Sequence, residues 1–139
     1  MLKRLAIVMI AGVVAATSGC GLWSAEPQDH QAQGQAMGQY YEFDDVQVPR
    51  ELELVRDKSF VFQAGNFKAG VLVFKGSVEA RSLGEYFMQS MAKDNWVLKG
   101  SLKYPIVVLL FAKKGKSAVI RISEGIFSTS VEIWVIPSL

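Results

Sequence analysis

One stretch of this chain repeats like a helix, and nearly everything around it repeats like strands. In "SLGEYFMQSMAKDNW", residues 82–96, the residues Leu83, Tyr86, Phe87, Ser90 and Met91 recur at i, i+3, i+4, i+7 and i+8. That spacing lays them on one face of a helix. Ser82 with Glu85 three residues later is a capping-box pattern for its start. Lys93 suits the last turn, where a cation meets the C-terminal dipole. Asn95 fits the left-handed residue that ends a helix, with Trp96 folding back on the last turn. A lone amphipathic helix must bury its stripe, and the flanking segments offer the surface.

Those flanks read as strands. "SFVFQ" (59–63) and "KAGVLVFKGSV" (68–78) precede the helix, bounded by Gly or Asn. "NWVLKGSL", "IVVLLFAK", "SAVIRISE" and "IFSTSVEIWVIP" follow it. "IVVLLFAK" is the most apolar and is expected at the centre of the sheet. "KKGK", residues 113–116, has the glycine a tight hairpin needs. In the last segment Phe127, Val131, Ile133 and Val135 are expected on one face, with Glu132, Trp134 and Ile136 on the other. Upstream, "DDVQVPRELELV" alternates, but Pro49 cannot donate to a ladder, so it is an edge strand or is broken there. The expected fold is a two-layer α+β domain over residues 40–139, a single helix packed across a curved antiparallel sheet. Leu83, Phe87 and Met91 would then face the sheet, and any space beside them would be a pocket for an amphiphile or small molecule.

The N-terminal end has a different character. "MLKR" is a short positive start, "LAIVMIAGVVAA" is uncharged, and the small residues "TSG" lead to Cys20, the only cysteine. A positive start, a short apolar run and a small-residue exit are the parts of a secretory signal. Ending at a cysteine, the segment resembles the lipobox of bacterial lipoproteins, with Thr17 where leucine is usual. The resemblance implies cleavage after residue 19 and a diacylglycerol on Cys20. It also implies a lipid-anchored protein of the cell envelope. Gly21, rather than aspartate, after the cysteine favours the outer membrane, facing the periplasm. Each buried CH2 of a lipid contributes roughly 0.8 kcal/mol, so several acyl chains make a durable anchor. Residues 20–39 then read as a flexible glutamine-rich tether with a root-mean-square reach of roughly 25 Å. Trp23 and the only histidine, His30, lie in it.

The domain itself resembles small uncharacterised bacterial lipoproteins through "FDDVQVP", "AGVLVFKG", "SLGEYFMQSMAKDNW" and "FSTSVEIWV". In topology alone it is similar to the helix-grip domains of outer-membrane assembly lipoproteins of the BamC type. A likeness of topology transfers no function.

Charge and motifs exclude more than they assign. The formal charge is +2, but Lys3 and Arg4 supply all of it. No case for nucleic-acid binding follows from such a balance. A Ser-His-Asp set would need the histidine inside the domain. Neither metal-ligand spacing nor a phosphate-binding glycine loop is present, so no cofactor, metal site or catalysis is expected. Asp44 and Asp45 are adjacent, and on a strand they would point to opposite faces. Residues 26–57 carry eight acids and two bases, whereas residues 58–121 carry eleven bases and three acids. Two readings follow for Lys113, Lys114 and Lys116. They pair with the acidic N-terminal segment and keep the edges soluble, or they form a surface for an anionic partner. Trp134 and Ile136 are the other candidate partner surface. The expected function is a non-catalytic interaction domain, anchored through Cys20 and binding another envelope protein. The alternative is small-molecule or amphiphile binding between helix and sheet. The sequence carries no signal for oligomeric state.

Overall fold

The computed structural model describes residues 38–138. The signal segment, Cys20, Trp23 and His30 lie outside them. The described chain is an α+β domain, with one helix packed on an open antiparallel sheet. A two-stranded ribbon comes first, β1 (Gly38–Tyr40) with β2 (Gln47–Pro49). β1 therefore begins two residues inside the stretch read as tether. The main sheet holds β3 (Glu53–Leu54), β4 (Phe60–Ala64), β5 (Phe67–Gly76), β6 (Val97–Leu102), β7 (Val107–Lys113), β8 (Lys116–Glu124) and β9 (Thr129–Pro137). Its order is β3-β5-β9-β8-β7-β6, with β4 also on the free side of β5. Pro49 ends β2, and the chain turns before β3, so "DDVQVPRELELV" is broken there.

The helix α1 (Ala80–Lys93) carries the chain from β5 to the far edge at β6. Four strand spacings separate the two, about 19 Å. Fourteen residues of helix span about 21 Å, so its length matches the crossing. β7, β8 and β9 then return in sequence and fill the gap. This corrects the expectation for "IVVLLFAK". It forms β7, one position from the edge, and the centre belongs to β8 and β9.

The start of α1 also differs from the capping-box reading. The helix begins at Ala80, with Glu79 at its N-cap. Ser82 lies inside the first turn, and its hydroxyl donates to the Glu79 carboxylate at 2.8 Å. The exposed Ala80 N–H is satisfied from outside, by Glu124 of β8 at 2.8 Å. The C-terminal end matches the sequence. Asn95 has φ 64°, Trp96 N–H donates to the Met91 carbonyl, and Asn95 N–H to that of Ala92. These two bonds make a Schellman motif. Trp96 is buried, and its indole N–H donates to the Asp45 carbonyl at 2.7 Å.

Alternation in the strands builds the core. Leu72 and Phe74 of β5, Val131, Ile133 and Val135 of β9, and Ala118, Ile120 and Ile122 of β8 face inward with Leu109 and Phe111 of β7. Leu83, Phe87 and Met91 join them from the helix, and Phe43, Val46, Val48 and Leu52 from the ribbon side. Phe127 does not belong to this face. It is 92% exposed in the turn before β9, where Gly125 N–H bonds to the Ser128 carbonyl and interrupts the alternation. Lys114 and Gly115 join β7 to β8, with Gly115 at φ 80°, a conformation costly for any residue with a Cβ.

Candidate functional site: the outer face of the sheet

Strand register places one apolar row straight across the side of the sheet away from α1. Phe60 pairs with Val71, Val71 with Trp134, Trp134 with Val119, and Val119 with Leu110. Directly opposed residues share a face, so these five side chains from five strands stand side by side. Phe60, Trp134 and Leu110 are exposed by 61%, 41% and 44%. Phe62, Phe67 and Ile136 are exposed at the margins of the same face. Phe62 and Phe67 meet edge to face, with ring centroids 6.1 Å apart. Beside the row, Arg121 of β8 donates to Glu132 of β9 at 2.7 Å. Val71 between them is buried and Val119 half-buried, so the accessible part of the row is Phe60, Trp134 and Leu110; exposed large apolar groups with a polar margin are the kind of surface that proteins use for docking.

Trp134 and Ile136 thus stand where alternation put them, outward and accessible. Phe60, Phe62 and Leu110 were missed as their neighbours. The signal existed: Phe60 and Phe62 alternate in "SFVFQ", and "IVVLLFAK" is apolar at both parities. Only the register shows that they share a row with Trp134.

The lysines divide. Lys113 and Lys116 turn toward Asp45, at 3.0 and 2.6 Å, and both ammonium groups lie near the Trp96 ring, at 5.7 and 5.5 Å. Lys113 also donates to the Asp94 carbonyl at 2.7 Å. Asp45 sits in a turn rather than on a strand, which lets its side chain reach inward. Burial opposes its ionisation. Hydrogen bonds from Lys116 and Lys113, with their charges, outweigh that and hold the carboxyl below its ordinary range. The cluster ties the acidic N-terminal segment to the β7–β8 hairpin. Lys114 stays exposed at the tip of that hairpin.

Leu83, Phe87 and Met91 do not line a pocket. All three are fully packed in the core, between helix and sheet. The open space lies along the flank instead. A groove of about 740 Å3 runs between the first turns of α1 and the β6–β7 connection. Gly84, Met88, Val107 and Ile122 contribute apolar lining, and Arg81, Lys103, Glu79 and Glu124 polar lining. Tyr104, before a cis Pro105, stands on its wall, 85% exposed.

Among the described residues no group of three or more His, Cys, Asp or Glu side chains is placed to hold a metal ion. No described helix is long and apolar enough to cross a membrane. Comparison with known proteins finds no matching family model, no matching curated protein and no matching solved structure.

Proposed function

We propose that this chain is a lipid-anchored protein of the cell envelope, facing the periplasm from the outer membrane. Its α+β domain acts as a non-catalytic interaction module that docks another envelope protein. The observation that carries the docking half is the apolar row Phe60–Val71–Trp134–Val119–Leu110 on the face opposite the helix. The lipobox-like run ending at Cys20 supports the anchor, and the glutamine-rich stretch after it supplies reach. A photo-crosslinking amino acid at Trp134, in intact cells, should capture a discrete protein. The same group at Lys93, on the exposed side of the helix, should capture less. Equal or diffuse labelling at both would remove the docking site. For the anchor, Cys20→Ala should abolish incorporation of a lipid label and release the chain from membranes. A mutant still processed and membrane-bound would refute it.

A second reading places an amphiphile in the groove between α1 and the β6–β7 connection, favoured by its apolar floor and charged rim. It predicts saturable binding of a fluorescent fatty acid, weakened several-fold by Tyr104→Ala. Non-saturable binding, or binding indifferent to that change, would eliminate this reading.

A further inference from the structure

The two edges of the sheet are built differently. At one edge β6 is interrupted: its pairing with β7 shifts register between Leu98 and Gly100, and Lys99 falls in the irregularity. A bulge and a lysine are standard means of keeping an edge from pairing with another chain. At the other edge lies β4, "FVFQA", residues 60–64. It pairs without a register shift with β5 and carries no charge, proline or bulge. No described strand pairs with its outward side. β4 also lies close on its neighbour. A Cβ on Gly70 would collide with the Phe60 carbonyl oxygen and come within 2.9 Å of the Val61 Cα. β4 is thus a firmly seated strand with an undefended edge and two exposed phenylalanines.

We infer that a second copy of this chain adds to this edge, β4 against β4, antiparallel about a two-fold axis at Val61. The strand's own sequence argues for a copy of itself. Centred on Val61, the pairing sets Phe60 opposite the second copy's Phe62, and Phe62 opposite its Phe60, on the outer face. Both aromatic pairs form at once, and aromatic cross-strand pairs are favourable. Val61 meets Val61 on the inner face, and Gln63 meets Ser59. The same axis puts Lys58 opposite Ala64 of the second copy, so no like charges are forced together. An axis at Phe62 would instead oppose Val61 to Gln63, an apolar group to a polar one. Strand addition of this kind draws affinity from main-chain bonds and selectivity from alternate side chains. A five-residue strand spans only about 17 Å. The contact is therefore below the size of a permanent interface, and dimers form reversibly.

The test uses the full chain in membrane preparations under mild oxidation, with the wild type as control because Cys20 is its only cysteine. Opposed residues of an antiparallel pair have Cα atoms about 4.5–5.5 Å apart, within disulfide reach. Val61→Cys should give a disulfide-linked dimer joined through position 61. Val97→Cys, exposed on the β6 edge, should not. A Val61→Cys chain that stays monomeric, or dimerises no better than Val97→Cys, overturns the inference. In a second measurement, Phe62→Lys should weaken self-association in detergent by about tenfold or more, read by sedimentation, with thermal unfolding little changed. Undiminished self-association would equally overturn it. Capture of a different protein at Trp134 tests the proposed function separately, because the disulfide test at Val61, on the inner face, is read without it.

Discussion

The two faces of this sheet are made by the same strands, yet one is apolar throughout and closed, and the other carries an apolar row among charged and polar groups. Inward, Phe74, Ile120, Val131 and Ile133 are fully buried under α1 and the β1–β2 ribbon. One residue along each strand, Val71, Val119 and Trp134 stand in a row that α1 does not cover. The difference comes from topology as well as from composition. A two-layer domain with one helix has one covering layer to give, and the crossover from β5 to β6 decides which face receives it.

Substitutions can break or sharpen this contrast. The largest effect is expected in the covered layer. Phe87→Ala removes a fully buried ring at the centre of the helix and should cost about 3–5 kcal/mol in urea unfolding. Ile133→Ala on β9 should cost about 2–5 kcal/mol, against the exposed Trp134 beside it. The next effect lies at the margin of the core. Asp45→Ala strips two lysines of their shared carboxylate, and should cost about 1–3 kcal/mol by the same measurement. The pH dependence has a definite sign. The folded carboxyl of Asp45 titrates below its ordinary value, so its contribution is complete above the unfolded value of about 3.9. It is lost as pH falls through the lower, folded value. Urea midpoints measured through that acid range should fall for the wild type and fall less for Asp45→Asn. The smallest effect is expected on the open face. Trp134→Ala should change stability by under about 1 kcal/mol while abolishing capture of the docked protein. A Trp134→Ala loss as large as that of Ile133→Ala would mean that the two faces are equally covered.

Much of the architecture is legible in the sequence because it depends on local pattern. The helical stripe, the left-handed Asn95 and the hairpin at Gly115 each follow from a few neighbouring residues. Alternation also assigns Val131, Ile133 and Val135 to one face and Trp134 to the other. What fails depends on partners far along the chain. The start of α1 is set by Glu124, more than forty residues away, rather than by Ser82. The position of β7 is fixed by the return of β8 and β9, and its high apolar content reflects Leu110 on the open face. Asp45 reads as one of two ordinary acids until the chain turns there and brings it against the β7–β8 hairpin. The pocket was placed at the helix stripe, where packing is tightest. A groove forms along the flank because the β6–β7 connection rises beside the first turns of α1 rather than closing over them.

The strand order has a consequence for how the molecule comes into being. β5 is finished by residue 76, but its inner neighbour is β9, which begins only at Thr129. The middle of the sheet is therefore the last part of it to be synthesised. Until β9 arrives, β5 has only short β3 and β4 beside it, and α1 has half a surface to rest on. Such non-local pairing makes folding slow relative to that of a helical domain of equal size. It also makes the chain all-or-none with respect to its far end: shortening it by one strand would remove the keystone and leave two unjoined flaps.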